Sequence, residues 1–171
     1  MKKNKIVKLH HFIFAFLICL AFANVSANPR IAVLDFELKD MTLAPRIPAE
    51  ITRTASIKPM MESDLKKSGY DIVPISQDAQ QQATAGVGYL FDHPDVAAQL
   101  GKKFDADYVI VGRLHKPSFL FFYLMAHLVD VKREALIGEY LYEVKGGEKK
   151  IVAQGVEDIT EKITKTLGAA K

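Results

Sequence analysis

Hydrophobic and polar positions alternate along the chain in a few readable blocks. The densest is 106–144, ADYVIVGRLHKPSFLFFYLMAHLVDVKREALIGEYLYEV. It opens with a continuous apolar run, YVIVG at 108–112, of the kind expected for a strand buried on both faces. Arg113 and His115 then make it amphipathic, and Lys116–Ser118 reads as a turn. Residues 119–131 are apolar on both alternating faces and predict a long, central strand, covered on both sides. Lys132 and Arg133 mark a second tight turn. Beyond it Leu136, Gly138, Tyr140, Tyr142 and Val144 share one parity against Glu139 and Glu143, a half-exposed strand.

Other blocks fall on either side. IAVLDF at 31–36 predicts a first buried strand. From Glu37 the chain enters a loop, where Pro45 and Pro48 argue against a regular element. Residues 51–56 fit no single period. Ile57, Met61 and Leu65 form a stripe at i, i+4, i+8, and Pro59 places the helix start near itself. Lys66 and Lys67 suit its last turn and Gly69 its C′ position. Tyr70–Ile75 predicts a second strand, which Pro74 either confines to an edge or ends. The polar stretch 76–85 predicts a short exposed helix capped by Ser76, followed by a flexible Gly86–Gly88. Pro94 opens another helix, with Val96, Leu100 and Phe104 on one face. After a break at Gly146 and Gly147, Val156, Ile159, Ile163 and Leu167 predict a terminal amphipathic helix stopped by Gly168. The element order is β-α-β-α-α-β-β-β-α, an α/β (α+β) chain with a single mixed sheet of about five strands and helices packed against it.

Residues 1–27 do not belong to this pattern. Lys2, Lys3, Lys5 and Lys8 precede an apolar run from Phe12 to Phe22, and Val25–Ala27 offers a small-residue cleavage site. This is the form of an export signal, and the run is short of the roughly 20 residues that span a bilayer. Cleavage would leave 28–171 as a single periplasmic domain. Cys19 is the chain's one cysteine and follows Ile18, which does not suit lipidation. Four of the 23 basic residues and none of the 20 acidic ones lie in residues 1–27, so the remainder carries a net charge of −1. The basic precursor therefore gives no argument for nucleic acid.

Three passages carry a family resemblance. IAVLDFEL at 31–38 resembles the first strand of the curli-secretion-channel lipoproteins and of the N-terminal domain of the Tol-system β-propeller protein. AAQLGKKFDADYVIVGRLHK at 97–116 resembles their helix-to-strand passage, and MAHLVDVKREALIGE at 125–139 their strand-turn-strand. Over 30–165 the chain resembles secreted bacterial domain-of-unknown-function families of this shape. The usual Thr/Ser-Gly turn is replaced by Lys132–Ala135, and there is neither an anchoring cysteine nor a long insertion of the pore-forming kind. The resemblance implies a periplasmic α/β domain that binds other envelope proteins in assembly or regulation. Through such relatives it also implies an accessory role beside a quinoprotein dehydrogenase.

Candidate chemistry is sparse. Asp35, Glu37 and Asp40 lie at the carboxyl end of the first strand, where open α/β sheets place ligands. No glycine-rich phosphate loop follows them. Asp92, His93 and Asp95 form a second acidic and imidazole cluster, for which helix capping is the stronger reading. These six are the candidate ligand-binding residues. For a joint metal site, His115 and His127 would need to meet. A hairpin turning at Pro117 sets His115 beside Phe119 and leaves His127 roughly 26 Å away at ~3.3 Å per residue. Arg113, His115, Phe119, Phe121 and Tyr123 are candidates for protein contact, wherever helices leave the aromatic cluster bare. Serines lack the GxSxG setting of a hydrolase. The expectation is a non-enzymatic protein without cofactor or metal whose partner is another envelope protein. The alternative is a small-ligand or metal-binding protein.

Overall fold

The structure, a computed structural model, describes residues 28–45, 47–145 and 149–169. The export-type segment 1–27 and the Gly146–Gly147 break lie outside the described residues. One mixed sheet runs in the order β3-β1-β4-β5-β6, with β2 also paired to β4. Its strands are β1 (Arg30–Val33), β2 (Glu37–Asp40), β3 (Asp71–Ile72), β4 (Tyr108–Lys116), β5 (Phe121–Asp130) and β6 (Ala135–Lys145). The helices are α1 (Pro48–Ala55), α2 (Ile57–Lys67), α3 (Gln77–Ala83), α4 (Tyr89–Asp92), α5 (Pro94–Lys103) and α6 (Lys149–Ala169). Strands β1, β2 and β3 run parallel to their neighbours, and β4-β5-β6 is an antiparallel meander.

Helices cover both faces of the sheet, giving three layers. On the first face α2 and α6 lay Ile57, Met61, Leu65, Val156, Ile159 and Ile163 over Ile110, Leu114 and Leu124, all fully buried. On the second face α3, α4 and α5 cover Val109, Val111 and Val129. Ala97, Ala98 and Gly101 let α5 approach closely, because a Cβ on Gly101 would overlap Val109 and Val131. The buried side of α5 is therefore this small-residue stripe with Leu100, and the expected Val96 and Phe104 lie at its margin.

Several expected elements are redrawn. Residues 37–40 form a strand, not the start of a loop. The offset between β1 and β4 is 77 at Ile31↔Tyr108, and between β2 and β4 it is 76 at Glu37↔Arg113, so one extra residue bulges the first strand between them. Pro48 opens α1 at its first turn instead of barring a helix. Ser56 ends α1 and leads directly into α2, which starts at Ile57 ahead of Pro59. The second strand keeps its edge place but shrinks to Asp71–Ile72. Gly69 at φ +87° closes α2, and Ser76 Oγ accepts the Ala79 N–H at 3.2 Å, both as expected. Gly168 does not stop α6, which runs through it to Ala169.

The hairpin register also differs. β5 begins at Phe121, and His115 faces Tyr123, because the chain turns at 117–120 instead of at Pro117. β4 and β5 both lie inside the sheet, but β5 has one face fully buried and the other only half-covered. A second bulge falls between Leu128 and Val129 on the β5–β6 ladder: Leu128 faces Gly138 and Val129 faces Leu136, leaving Ile137 as the extra residue. That reverses the alternation, so Leu136 joins the second core while Gly138, Tyr140 and Tyr142 stay on the face of the first.

Candidate functional site

The bulge after Val33 carries the first strand past the two-residue β3, so among the described residues β2 has β4 on one side and no strand on the other. That side is the floor of a groove of roughly 770 Å³. Phe36–Leu38 form the floor; α1 gives one wall through Ile51 and Thr54, and α3 the other through Gln77, Gln80 and Gln81. Gly86 and Val87 close the end. The candidate carboxylates Asp35 and Glu37 and the glycine segment 86–88 thus meet here. The glutamine-rich helix read only as an exposed element is the missed partner. Its apolar stripe is weak, and nothing local reveals that Gln80 points back at the sheet.

The six candidate ligand residues are dispersed. Asp35 lines the groove, pairs with Lys58 Nζ at 3.0 Å, and uses its backbone to bind Gln80. Glu37 is also in the groove, where both its carboxylate oxygens accept the Gly88 N–H at 2.9 and 2.8 Å. Its Oε2 lies 3.6 Å from Arg113 Nη2. Asp40 is on the opposite face and takes the Thr42 N–H and hydroxyl at 3.0 and 2.7 Å. Asp92 is exposed, 3.8 Å from Arg113. His93 donates from Nδ1 to Tyr89 O at 2.9 Å and stacks on the Tyr89 ring, closing α4. Asp95 sits exposed in the first turn of α5.

Beneath the groove end lies a locked cluster. The Arg113 guanidinium sits 4.2 Å over the Phe91 ring, and His127 stacks on the same ring at 3.7 Å. His127 Nδ1 donates to Phe91 O at 3.0 Å. Burial lowers the His127 pKa, more than the Phe91 carbonyl and Glu139 raise it. This geometry pins α4 to the sheet and leaves Arg113 buried. His115 stays half-buried at the sheet's less covered end, its ring 6.2 Å from Tyr123. Burial first, and then the neighbouring Lys39 charge, lower its pKa. It lies four positions along the hairpin from the residue opposite His127, not eight, and the two still do not meet. Among the described residues, no group of three or more His, Cys, Asp or Glu could hold a metal ion.

On the first face, Lys116 is buried, 2.8 Å from Glu50 and 4.0 Å from Asp40, under the rings of Phe119 and Phe122. Arg53 also pairs with Glu50. These charges clamp α1 to the end of β4. Phe119 is 62% and Leu120 72% exposed at the β4–β5 turn, and the side chain of Phe121 lies outside the described residues. The exposed Met41 and Leu43 come from the neighbouring segment, since Met41 N–H donates to Lys116 O. No helix among the described residues is long and apolar enough to cross a membrane.

Solved structures share the fold, among them four from bacteria. The hypothetical protein CT253 of Chlamydia trachomatis is 12% identical, with a TM-score of 0.58 over 83% of this chain and 99% of that one. The PelC dodecamer of Paraburkholderia phytofirmans is 12% identical, with a TM-score of 0.53 over 79% and 86%. Lipoprotein GNA1162 of Neisseria meningitidis is 15% identical, with a TM-score of 0.51 over 78% and 95%. TolB of Acinetobacter baumannii, at 18% identity and a TM-score of 0.52, matches over 82% of this chain but only 28% of its own. No functionally curated protein matches by sequence. The model of the DUF3280 family, described as Protein of unknown function (DUF2380), matches residues 29–163, and the chain belongs to that family.

Proposed function

We propose that this chain is a non-enzymatic periplasmic domain that acts through contacts with other envelope proteins, in assembly or regulation. The observation that carries the reading is the apolar end of the sheet. Phe119 and Leu120 are exposed there beside Met41 and Leu43, on two segments joined by the Met41–Lys116 hydrogen bond. Contiguous exposed apolar side chains on an exported domain mark contact surfaces. Fold relatives support the reading: one is named a lipoprotein and another assembles as a dodecamer. The pattern of residues 1–27 supports export. Neither the family description nor a fold relative supports the quinoprotein dehydrogenase association.

The test is site-specific photocrosslinking in cells. A photoreactive amino acid at Leu120 should give one discrete adduct with an envelope protein, while the same label at the exposed Glu157 of α6 should not. Absence of an adduct at Leu120 would refute this surface. A second reading, small-ligand binding, has the groove in its favour, since roughly 770 Å³ lies in the usual ~300–1,000 Å³ range of ligand pockets. A reproducible rise in melting temperature with a metabolite or a divalent cation would favour it.

A further inference from the structure

We infer that the groove beside β2 receives a single extended segment of a partner protein, which adds to the sheet as a strand. The inference rests on the protein-contact reading and gives it a second surface and a binding mode.

Its basis is where the backbone hydrogen bonds go. In the parallel β2–β4 ladder, Met41 N–H donates to Lys116 O. With Glu37 opposite Arg113 and Lys39 opposite His115, the odd-numbered residues of β2 bond to β4. The N–H and C=O of Leu38 therefore point the other way, into the groove, where no described strand pairs with β2. An unpaired edge of this kind is a template for strand addition.

Gln80 shows what the edge accepts. Its side-chain carboxamide takes the Asp35 N–H on Oε1 at 2.8 Å and donates from Nε2 to Asp35 O at 3.0 Å. That is the donor–acceptor pair a peptide unit would present. One side chain thus imitates a strand where β3 has ended, and the imitation stops before Leu38.

The walls select the occupant. The edge lies at the groove floor between α1 and α3, so a folded neighbour, including a second copy of this chain, cannot bring its own sheet edge down to it. A lone extended segment can. Ile51 and Val87, 53% and 73% exposed, flank the floor and suit apolar side chains at alternate positions of the segment. The carboxylates of Asp35 and Glu37 are already matched by Lys58 and by the Gly88 N–H with Arg113. The remaining polar wall, Gln77, Gln81 and Thr84, is neutral. The segment is thus uncharged over about four or five residues, with apolar residues at every second position.

The probe is a library of random 12-residue peptides displayed on phage and selected on the purified full chain. Enriched peptides are synthesised with and without N-methyl groups on alternate amides, and binding is read by fluorescence anisotropy. Methylation of one parity should weaken binding at least tenfold and the other parity much less. Ile51→Glu, at an exposed position, should weaken it to a similar degree, and bound peptide should slow hydrogen exchange of the Leu38 amide. Failure to enrich any peptide would overturn the inference. So would peptides whose affinity ignores both methylation and Ile51→Glu. If the Leu120 crosslink persists while these peptide tests fail, the groove inference falls and the protein-contact reading stands. If both fail, so does the reading beneath it.

Discussion

Gly112→Val should destabilise the fold by about 3–5 kcal/mol, the cost of evicting a buried phenylalanine ring. Gly112 lies at the middle of β4, opposite Ala126 of β5. A Cβ there would overlap three carbons of the Phe36 ring, which the bulge between β1 and β2 folds down onto the glycine. Phe36 is itself buried, so pushing the ring aside, into the groove it helps to floor, exposes it to water. If the backbone yields instead, overpacking costs about 1–3 kcal/mol, a lower bound for the valine and the expected range for Gly112→Ala. Urea unfolding is the assay. With a slope of ~2 kcal/mol/M, a 3 kcal/mol loss moves the midpoint by about 1.5 M. Pairing the substitution with Phe36→Ala removes the obstacle, so the double variant should fall short of the additive loss by more than about 1 kcal/mol. A change under about 0.5 kcal/mol for Gly112→Val, or strict additivity in the cycle, would show that the ring does not rest on the glycine and that the bulge is misplaced.

Two further outcomes follow from buried groups. Glu50→Ala leaves the Lys116 ammonium buried with Asp40 at 4.0 Å, and should cost about 3–5 kcal/mol in chemical denaturation, whereas Glu50→Gln, which keeps an acceptor for Lys116, should cost less. Because the folded His127 has a pKa below the 6.5 of a free imidazole, the unfolded chain binds the proton more readily. Its contribution to stability is therefore present above pH 6.5 and is lost as pH falls toward the lowered value. Melting temperature followed from pH 7.5 to 5 should drop more steeply for the wild type than for His127→Gln, and parallel curves would contradict the burial argument.

Elements with strong one-sided burial were readable from residues alone. Ile57, Met61 and Leu65 state a helix face, as do Val156, Ile159 and Ile163, because 3.6-residue periodicity records which side meets the core. The run IAVL similarly records a strand covered on both faces. β2 left no such record. Glu37–Asp40 carries two acids and a lysine, and becomes a strand because β4 supplies its hydrogen bonds across more than seventy residues. α1 was hidden for a related reason: its buried positions are Glu50 and Thr54, which no hydrophobic period detects.

Of the candidate site, Asp35 and Glu37 were legible as carboxylates at the carboxyl end of a strand, and both reach the groove. Their companions were not: Gln80 lies 45 residues from Asp35, and Gly88 lies 51 residues from Glu37. Arg113 and Lys116 look like solvent-facing charges in sequence and are buried in the fold, one over Phe91 and the other against Glu50.

By itself the sequence determined the mixed α/β class, a second strand after Gly69 at the sheet edge, the caps at Ser76 and Gly69, and the strand-turn-strand pattern of 108–145. These depend on local periodicity and on backbone preferences of single residues. Only the tertiary structure decided the two bulges, the hairpin register that faces His115 with Tyr123, and the open edge of β2 between α1 and α3. A bulge shifts parity without changing composition, and a register is a choice among pairings of equal local propensity. Both are settled by long-range packing, and the groove exists because both fell as they did.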